Sequence, residues 1–296
     1  MSILAFRYTN VMIQGITGKA ARHHTRNMLD YGTRIVAGVR PGAGGETVEG
    51  IPVYDSVEEA CLRHKVDASV LFVPAAGVKA AALEALGNGI KLIVIHAEHV
   101  PIHDTMVILE EASARGATVI GPNTPGLISP PEKVKLGFVP SAYFKPGPIG
   151  VASRSGTLTY ELVARLTHVG LGQSTVIGVG GDRIVGLRFA RVLELFEEDP
   201  ETSAILFIGE IGGSMEEEAA ALISTRVVTK PVFAYLAGHT APRGHRVGHA
   251  GAIVDGSSTT AESKVLVLKE AGVKVGTTIS ETVKIMAQAL RGAYEG

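Results

Sequence analysis

The stretch Val11-Met12-Ile13-Gln14-Gly15-Ile16-Thr17-Gly18 decides the fold of the N-terminal half of the chain. It predicts a short buried strand that runs directly into a glycine-rich turn, and a helix pattern carrying Met28 and Leu29 follows. A second apolar strand is predicted at 34–39. Strand, glycine-rich turn, helix and strand open a Rossmann-type βαβ unit, in which the start of the helix favours phosphate.

The alternation of strand and helix continues towards the C-terminus. Apolar runs without polar alternation predict further strands at 68–73, 92–95, 118–120, 149–153, 174–179, 204–208 and 231–236. Helix patterns separate these runs, and two more helices are predicted around 273–275. Strands of this kind indicate mainly parallel sheets covered on both faces. Because a proline-rich stretch interrupts the rhythm, we predict an α/β protein with domains at 1–121 and 148–296 and a linker at 122–147.

Composition narrows the class of protein. The 296 residues are 46% hydrophobic and 19% charged, which is typical of a folded, soluble chain. A net charge of -1 argues against a nucleic-acid-binding surface spread over the molecule. The single cysteine, Cys61, excludes an internal disulfide and a cysteine-built zinc site. No apolar run is long enough to span a membrane, and Arg7 interrupts the short first run, so we expect a cytoplasmic protein without a signal peptide.

The residues around the first turn favour a phosphorylated nucleotide as ligand. A nicotinamide dehydrogenase would have a third glycine here and an acidic residue about 20 positions further on. This chain has Ala20-Ala21 instead, and its second strand ends at Arg40. Arginine suits an extra phosphate on a ribose, as in NADP or coenzyme A, and Lys19 and Arg22 add cations beside the turn. Taken singly, each of these charges is equally well explained as a solvated surface group.

A second candidate site is the loop at 244–252, where His249 lies between glycines and alanines. An imidazole in such a place acts as a base, binds a metal or takes a phosphoryl group, unless it is only a turn residue. Glu210 ends an apolar strand and is a candidate acceptor for the ring N–H of His249. The acidic run 216–218 is predicted as an exposed helix face.

The start of the helix that follows the strand at 149–153 is a candidate anion site. Ser155 and Thr157 are good helix-start residues, and the free N–H groups there attract negative charge. Plain capping of the helix by Ser155 is the alternative.

Six segments lie at predicted strand ends, and in this order they resemble the α-subunit family of succinyl-CoA synthetase, or succinate–CoA ligase, across nearly the whole chain. They are Gln14-Gly15-Ile16-Thr17-Gly18, Gly121-Pro122-Asn123, Ser153-Arg154-Ser155-Gly156-Thr157-Leu158-Thr159-Tyr160, Gly180-Gly181-Asp182, Gly209-Glu210-Ile211-Gly212-Gly213 and Gly248-His249-Ala250-Gly251-Ala252.

The resemblance implies a Rossmann-like CoA-binding domain followed by a flavodoxin-like ligase domain. It implies that His249 is phosphorylated, that Glu210 orients it, and that Tyr160 lies near the carboxylate substrate. The phosphoryl group would be held by Ser155, Gly156 and Thr157. Coenzyme A would be bound by Thr17, Gly18, Lys19, Ala20, His96, Ala97 and Glu98.

The resemblance also implies a reaction and a partner. In the family, a carboxylate, CoA and an NTP are interconverted with acyl-CoA, NDP and phosphate through an acyl phosphate and a phosphohistidine. A β subunit with an ATP-grasp domain would hold ATP or GTP with Mg²⁺, in an αβ or (αβ)2 assembly. No metal site is expected in this chain, and succinate is the expected carboxylate.

Several residues depart from the family pattern. Ala43 stands where the family has a CoA-binding lysine, so Arg40, Lys19 or Arg22 is a candidate replacement. Arg183 follows Gly180-Gly181-Asp182, where succinate enzymes carry proline. An arginine there is similar to the citrate-activating relatives and suits an additional carboxylate, although the interpretation as a surface arginine at a helix start is slightly favoured. Citrate or malate therefore stays open as substrate.

Two functions of other classes remain compatible with the sequence. A nicotinamide-dependent oxidoreductase would use the N-terminal βαβ unit to bind NADPH. A CoA sensor without turnover would keep the fold, and the alanine at position 43 is compatible with it, whereas the intact His249 loop argues against it.

Overall fold

The computed structural model describes residues 2–242, 245, 248–254 and 259–294. The N-terminal sheet contains β1 (Val11–Gln14), β2 (Ile35–Val39), β3 (Thr47–Val48), β4 (Ile51–Tyr54), β5 (Ala68–Leu71), β6 (Leu92–Ile95) and β7 (Thr118–Ile120). Its helices are α1 (Lys19–Tyr31), α2 (Val57–Arg63), α3 (Val78–Gly87) and α4 (Ile102–Ala114).

The strands of this sheet are ordered β3-β4-β2-β1-β5-β6-β7, and all neighbours are parallel except the edge pair β3–β4. Leaving out the short edge strand β3, this is the Rossmann order, in which the chain changes direction across the sheet between the first and fourth strands. The change of direction lies between β1 and β5. Ligands of open α/β sheets bind at the carboxyl ends of the strands on either side of such a point.

The second sheet contains β8 (Gly126–Ser129), β9 (Val134–Gly137), β10 (Pro146–Ser153), β11 (Gln173–Gly178), β12 (Ala204–Glu210), β13 (Val232–Ala237) and β14 (Lys274–Gly276). Its helices are α5 (Gly156–His168), α6 (Phe189–Glu198), α7 (Met215–Ser224), α8 (Ala261–Glu270) and α9 (Ile279–Tyr294). The order is β14-β13-β12-β10-β11-β8-β9, and the strands from β14 to β11 are parallel. That part has the flavodoxin-like order, with the change of direction between β10 and β12.

The predicted linker at 122–147 contains a hairpin that belongs to the second sheet. Strands β8 and β9 pair with each other, and β8 pairs antiparallel with β11. The hairpin also contacts the first domain, since Thr33 Oγ1 exchanges two 2.9 Å hydrogen bonds with the backbone of Lys135. This segment therefore fastens the two sheets to each other, and the domain boundaries at 121 and 148 stay predictions.

The α/β class and the two mainly parallel sheets are confirmed. The predicted strands at 92–95 and 118–120 match β6 and β7, and the two predicted C-terminal helices match α8 and α9 with β14 between them. Both sheets are covered because their strands are buried on both faces, as the continuous apolar runs require. In the part of the chain that the structure describes, no helix is both long and apolar enough to cross a membrane.

Candidate active site

The ring of His249 lies at the carboxyl ends of the central strands of the second sheet. Its Nδ1 is 2.9 Å from Oε2 of Glu210, the last residue of β12. Its other side packs on Gly181, which follows β11, so closely that a Cβ on Gly181 would lie 2.5 Å from His249 Cγ. Because β10 lies between β11 and β12, the ring is held across the end of β10, where Arg154 and Ser155 lead into α5.

Backbone hydrogen bonds hold the loop around His249. Gly251 N donates to Gly181 O at 3.0 Å, and Ala252 N donates to His249 O at 3.1 Å. The side chain of His249 keeps 27% of its surface exposed, so a reactant can reach it. Gly244, Arg246 and Val247 of the predicted loop lie outside the described residues.

A buried ion pair lies behind the ring nitrogen that contacts Glu210. The side chain of Arg154 is 2% exposed, and its Nη2 lies 3.1 Å from Oε1 of Glu210. The hydrogen bond to Glu210 raises the pKa of His249, against the opposing effect of burial. When Nδ1–H donates to Glu210, the lone pair of Nε2 remains available to a reactant.

The start of α5 supplies the groups that an anion requires. Ser155 is the N-cap, and its Oγ accepts from Leu158 N at 3.4 Å, so the capping role predicted as an alternative is present. The first turn leaves the N–H groups of Gly156 and Thr157 without partners in the helix, and the helix dipole favours negative charge there. The hydroxyl of Tyr160 is buried. It lies beside Gly156, since a Cβ built on that glycine would be 3.4 Å from Tyr160 Oη. Burial raises the pKa of Tyr160 to about 12, so its hydroxyl stays a neutral donor.

The first domain has a cleft of about 610 Å³ at the change of direction between β1 and β5. Among the residues predicted to bind CoA, those that line this cleft are Gly18, Lys19, Ala20, His96, Ala97 and Glu98. Thr17, Arg40 and Ala43 are not part of the lining. Arg40 is exposed and Ala43 is buried, in a loop held by Asp55 Oδ1, which accepts from Gly42 N and Gly44 N.

Aromatic rings form one wall of the cleft, and sequence reasoning missed most of them. His96 stacks on Phe72 with ring centroids 4.7 Å apart, and His24 stacks on the same ring at 5.6 Å. Burial lowers the pKa of His96 to about 4, so this ring is neutral. The wall is therefore aromatic, with a neutral ring at His96, which fits the apolar part of a CoA-like ligand, while Lys19 and the start of α1 offer positive charge to its phosphates.

Asn123 connects the cleft to the His249 loop. Its backbone N donates to Ala97 O at 2.9 Å, and its Nδ2 donates to Asp182 Oδ1 at 3.1 Å. Gly181 N donates to Asn123 O at 3.1 Å. Burial raises the pKa of Asp182, the residue next to the glycine that supports the His249 ring. Asn123 is therefore bonded to residues of both candidate sites.

The prediction that residues 216–218 form an exposed helix face is wrong for Glu216. Its side chain is fully buried, Oε1 accepts from Glu210 N at 3.1 Å, and Oε2 accepts from Lys264 Nζ at 2.8 Å.

Arg183 is exposed and lines a cavity of about 250 Å³ together with Arg154, Arg188 and Gly251.

A Rossmann domain with an aromatic cleft, joined to a flavodoxin-like domain with an oriented histidine, defines the class of two-domain CoA ligases. In keeping with this, the family model of the CoA binding domain matches residues 6–99, and that of the CoA-ligase matches residues 152–274.

Curated relatives identify the family more narrowly. The succinate–CoA ligase [ADP-forming] subunit alpha 2 of Archaeoglobus fulgidus is 52% identical over 98% of this chain and 100% of its own length. The subunit alpha of Methanothermobacter thermautotrophicus is 54% identical over 92% of each chain, and that of Staphylococcus aureus is 46% identical over 100% of this chain and 98% of its own. The chain belongs to the succinate–CoA ligase α-subunit family.

Solved structures share the fold. An ATP citrate lyase from Methanothrix soehngenii, in complex with citrate and coenzyme A, superposes with a TM-score of 0.88 over 97% of this chain and 50% of the lyase, at 24% identity. A dinucleotide-forming acetyl-coenzyme A synthetase 1 from Ca. Korarchaeum cryptofilum gives 0.75 over 94% of this chain and 60% of its own, at 23% identity. At these identities the likeness supports the two-domain architecture only.

Replacing Glu210 tests the electrostatics of the site. Glu210→Gln removes the charge that raises the pKa of His249, so we expect that pKa to fall below its wild-type value. NMR titration of the His249 ring protons measures it. Because the folded-state pKa is raised, the stability from this pair is fully present below about pH 6.5 and is lost as the pH rises through the folded-state pKa. The difference in the free energy of unfolding between wild type and Glu210→Gln should therefore become smaller as the pH rises.

The control for this measurement is Glu198→Gln, at an exposed glutamate that ends α6. It should leave the His249 titration unchanged. An unchanged titration in Glu210→Gln would contradict the assignment of Glu210 as the acceptor of the hydrogen bond from Nδ1–H of His249.

Proposed function

We propose that this chain is the α subunit of an NTP-dependent succinate–CoA ligase that works through a phosphohistidine at His249. The observation that carries the proposal is the 2.9 Å contact between His249 Nδ1 and Glu210, placed across the start of α5. The relatives from Archaeoglobus fulgidus and Methanothermobacter thermautotrophicus, which are named as ADP-forming succinate–CoA ligase subunits, support the choice of succinate.

The residues divide the phosphoryl transfer between them. Glu210 accepts the hydrogen bond from Nδ1–H, which keeps this proton on Nδ1 of the ring. Nε2 of His249 then attacks the terminal phosphorus of the NTP, and NDP leaves. The N–H groups of Gly156 and Thr157 stabilise the phosphoryl oxygens without adding a competing nucleophile. A carboxylate oxygen of succinate then takes the phosphoryl group from Nε2, giving an acyl phosphate and free His249. We propose that Tyr160, whose hydroxyl lies beside Gly156 in the first turn of α5, donates to the carboxylate.

The last step uses groups from both domains. The thiol of CoA attacks the acyl carbon, the carbon–oxygen bond to phosphate breaks, and the thiol proton leaves with the phosphate. Gly18, Lys19, Ala20, His96, Ala97 and Glu98 line the cleft proposed for CoA. Asn123 links that cleft to the loop of His249, which supports a short path between the thiol and the acyl phosphate.

The rest of the assembly is also proposed. The name of the relatives as α subunits supports a β subunit as partner. We propose that this subunit supplies an ATP-grasp domain with ATP or GTP and Mg²⁺, in an αβ or (αβ)2 complex. A cytoplasmic location stays a prediction from the sequence.

The phosphohistidine is tested with the reconstituted α and β subunits and ATP labelled at its terminal phosphate. Wild type should acquire label that is lost in acid and stable in base, and His249→Ala should fall to background because the only proposed acceptor is gone. His245→Ala, at an exposed histidine of the same loop, is the matched control and should label normally. Equal labelling of His249→Ala and wild type would exclude the proposed acceptor.

The cleft is tested by calorimetry with CoA and NADPH. CoA should bind and NADPH should not, which separates a ligase from an oxidoreductase. Because Lys19 lines the cleft and Arg40 does not, Lys19→Ala should weaken CoA binding by about fivefold and more than Arg40→Ala does. Lys65→Ala, at a lysine whose side chain is 82% exposed, should bind CoA like wild type. Tight NADPH binding without CoA binding would contradict the proposal.

The carboxylate is tested with succinate, malate and citrate on the complex. We expect turnover of succinate, and kcat/KM for succinate within about threefold of wild type in Arg183→Ala, because an exposed arginine contributes little. If citrate is the substrate instead, citrate turnover should exceed that of succinate, and the same variant should lose about tenfold or more through a missing charged hydrogen bond.

A further inference from the structure

Lys264 on α8 is a buried charge outside the proposed chemistry. Its side chain is 0% exposed, and Nζ lies 2.8 Å from Oε2 of Glu216, 2.8 Å from Oε2 of Glu217 and 2.9 Å from Gly213 O. An ammonium group in a protein interior is costly unless charge partners surround it. Lys264 has two carboxylates and a carbonyl as partners, so the buried amino group is fully paired.

The partners of Lys264 lead directly to the proposed site. Glu216 is also fully buried, and its Oε1 accepts from Glu210 N at 3.1 Å and lies 3.5 Å from Arg154 Nη1. Arg154 in turn pairs with Glu210 Oε1 at 3.1 Å. Glu210 Oε2 meets His249 Nδ1 at 2.9 Å. We call Lys264, Glu216, Arg154 and Glu210 the buried charge row, in which positive and negative groups alternate up to the histidine.

We propose that Lys264 is a positioning residue for phosphoryl transfer, acting through Glu216 and Arg154 to hold the Glu210 carboxylate and to set the charge that the His249 ring experiences. The inference deepens the proposed function and rests on His249 as the phosphoryl acceptor.

The geometry explains why the position of Glu210, at one end of the buried charge row, depends on Lys264 at the other end. Glu216 holds the backbone of Glu210 through its N–H and the side chain of Glu210 through Arg154. Lys264 balances Glu216, so that Arg154 is left to balance Glu210. Without Lys264, the buried carboxylate of Glu216 would have Arg154 as its remaining cation in the row and would compete with Glu210 for it.

The charges around His249 predict the sign of the effect. Glu210 on β12, Arg154 after β10 and Asp182 after β11 face the ring, and Glu98 and His99 lie beyond Asp182. Behind Glu210 and Arg154 lie Glu216 and Glu217 on α7 and Lys264 on α8. The row itself holds two cations and two anions, so loss of Lys264 leaves one negative charge in excess. An excess negative charge stabilises the protonated imidazole.

The experiment measures phosphohistidine formation against pH in the αβ complex. Lys264→Met should move the acid limb of the profile to higher pH by about half a unit or more, since neutral His249 is the nucleophile. Glu217→Gln removes a carboxylate whose side chain is 30% exposed and that also pairs with Lys264, so it should move the limb to lower pH. The charge-balanced double variant Lys264→Met, Glu216→Gln should bring the limb back towards wild type.

A purely structural role gives a different pattern. Lys230→Met is the matched control, since Lys230 Nζ donates at 2.6 Å to the carbonyls of Phe196 and Asp199 at the amino ends of β12 and β13, whereas Glu210 lies at the carboxyl end of β12. It should lower the melting temperature and leave the acid limb in place. If Lys264→Met and Glu217→Gln shift the limb in the same direction, or not at all, the inference is overturned.

NMR titration of the His249 ring separates this inference from the proposed function. If wild type forms no phosphohistidine, the proposed function fails, while opposite shifts of the ring pKa in Glu217→Gln and Lys264→Met would still establish the coupling. If Lys264→Met does not fold, Glu217→Gln and the double variant decide the matter. An unchanged ring titration in Glu217→Gln then overturns the inference.

Discussion

The hydrogen bond between His249 Nδ1 and Glu210 is the interaction on which the site depends, and it places a carboxylate in a buried position. Glu210 is 6% exposed, and a buried carboxylate is costly unless an opposite charge lies beside it. Arg154 lies against its other oxygen and supplies the opposite charge. With this charge beside it, Glu210 accepts the hydrogen bond from Nδ1–H, and Nε2 keeps its lone pair.

Close approach of the backbone is the second condition. The ring of His249 packs against Gly181 where a Cβ would be 2.5 Å away, so any other residue would push the ring from Glu210. Gly212, with φ of +81°, similarly admits the carbonyl of Gly251 to a place where a Cβ would lie 2.3 Å from it. Gly181 and Gly212 are therefore required as glycines because the loop with His249 lies directly on them.

The sequence was sufficient for most of the parallel strands, for their parallel arrangement and for the position of Glu210 at a strand end, because apolar runs and strand ends are local patterns. It was insufficient for Glu216. An acidic residue in the first turn of a helix is normally solvated and favourable to the helix dipole, and nothing in the run 216–218 distinguishes the buried member. Its partner Lys264 is 48 residues away, so the pair exists only once α7 and α8 pack together. The hairpin β8–β9 was missed for a similar reason, since its prolines resemble a connecting loop and its pairing with β11 is long-range.

The distance between the two proposed sites is set by regular elements rather than by a flexible connection. The cleft lies at the change of direction of one sheet and His249 at that of the other, and both positions are fixed by strand order. The hairpin β8–β9 pairs with the second sheet and bonds to Thr33 of the first domain. Asn123 adds direct bonds to Ala97 on one side and to Asp182 on the other. Since reactive groups gain most when rigid elements hold them, a thiol bound along the aromatic wall would meet an acyl phosphate near α5 without a large rearrangement of this chain.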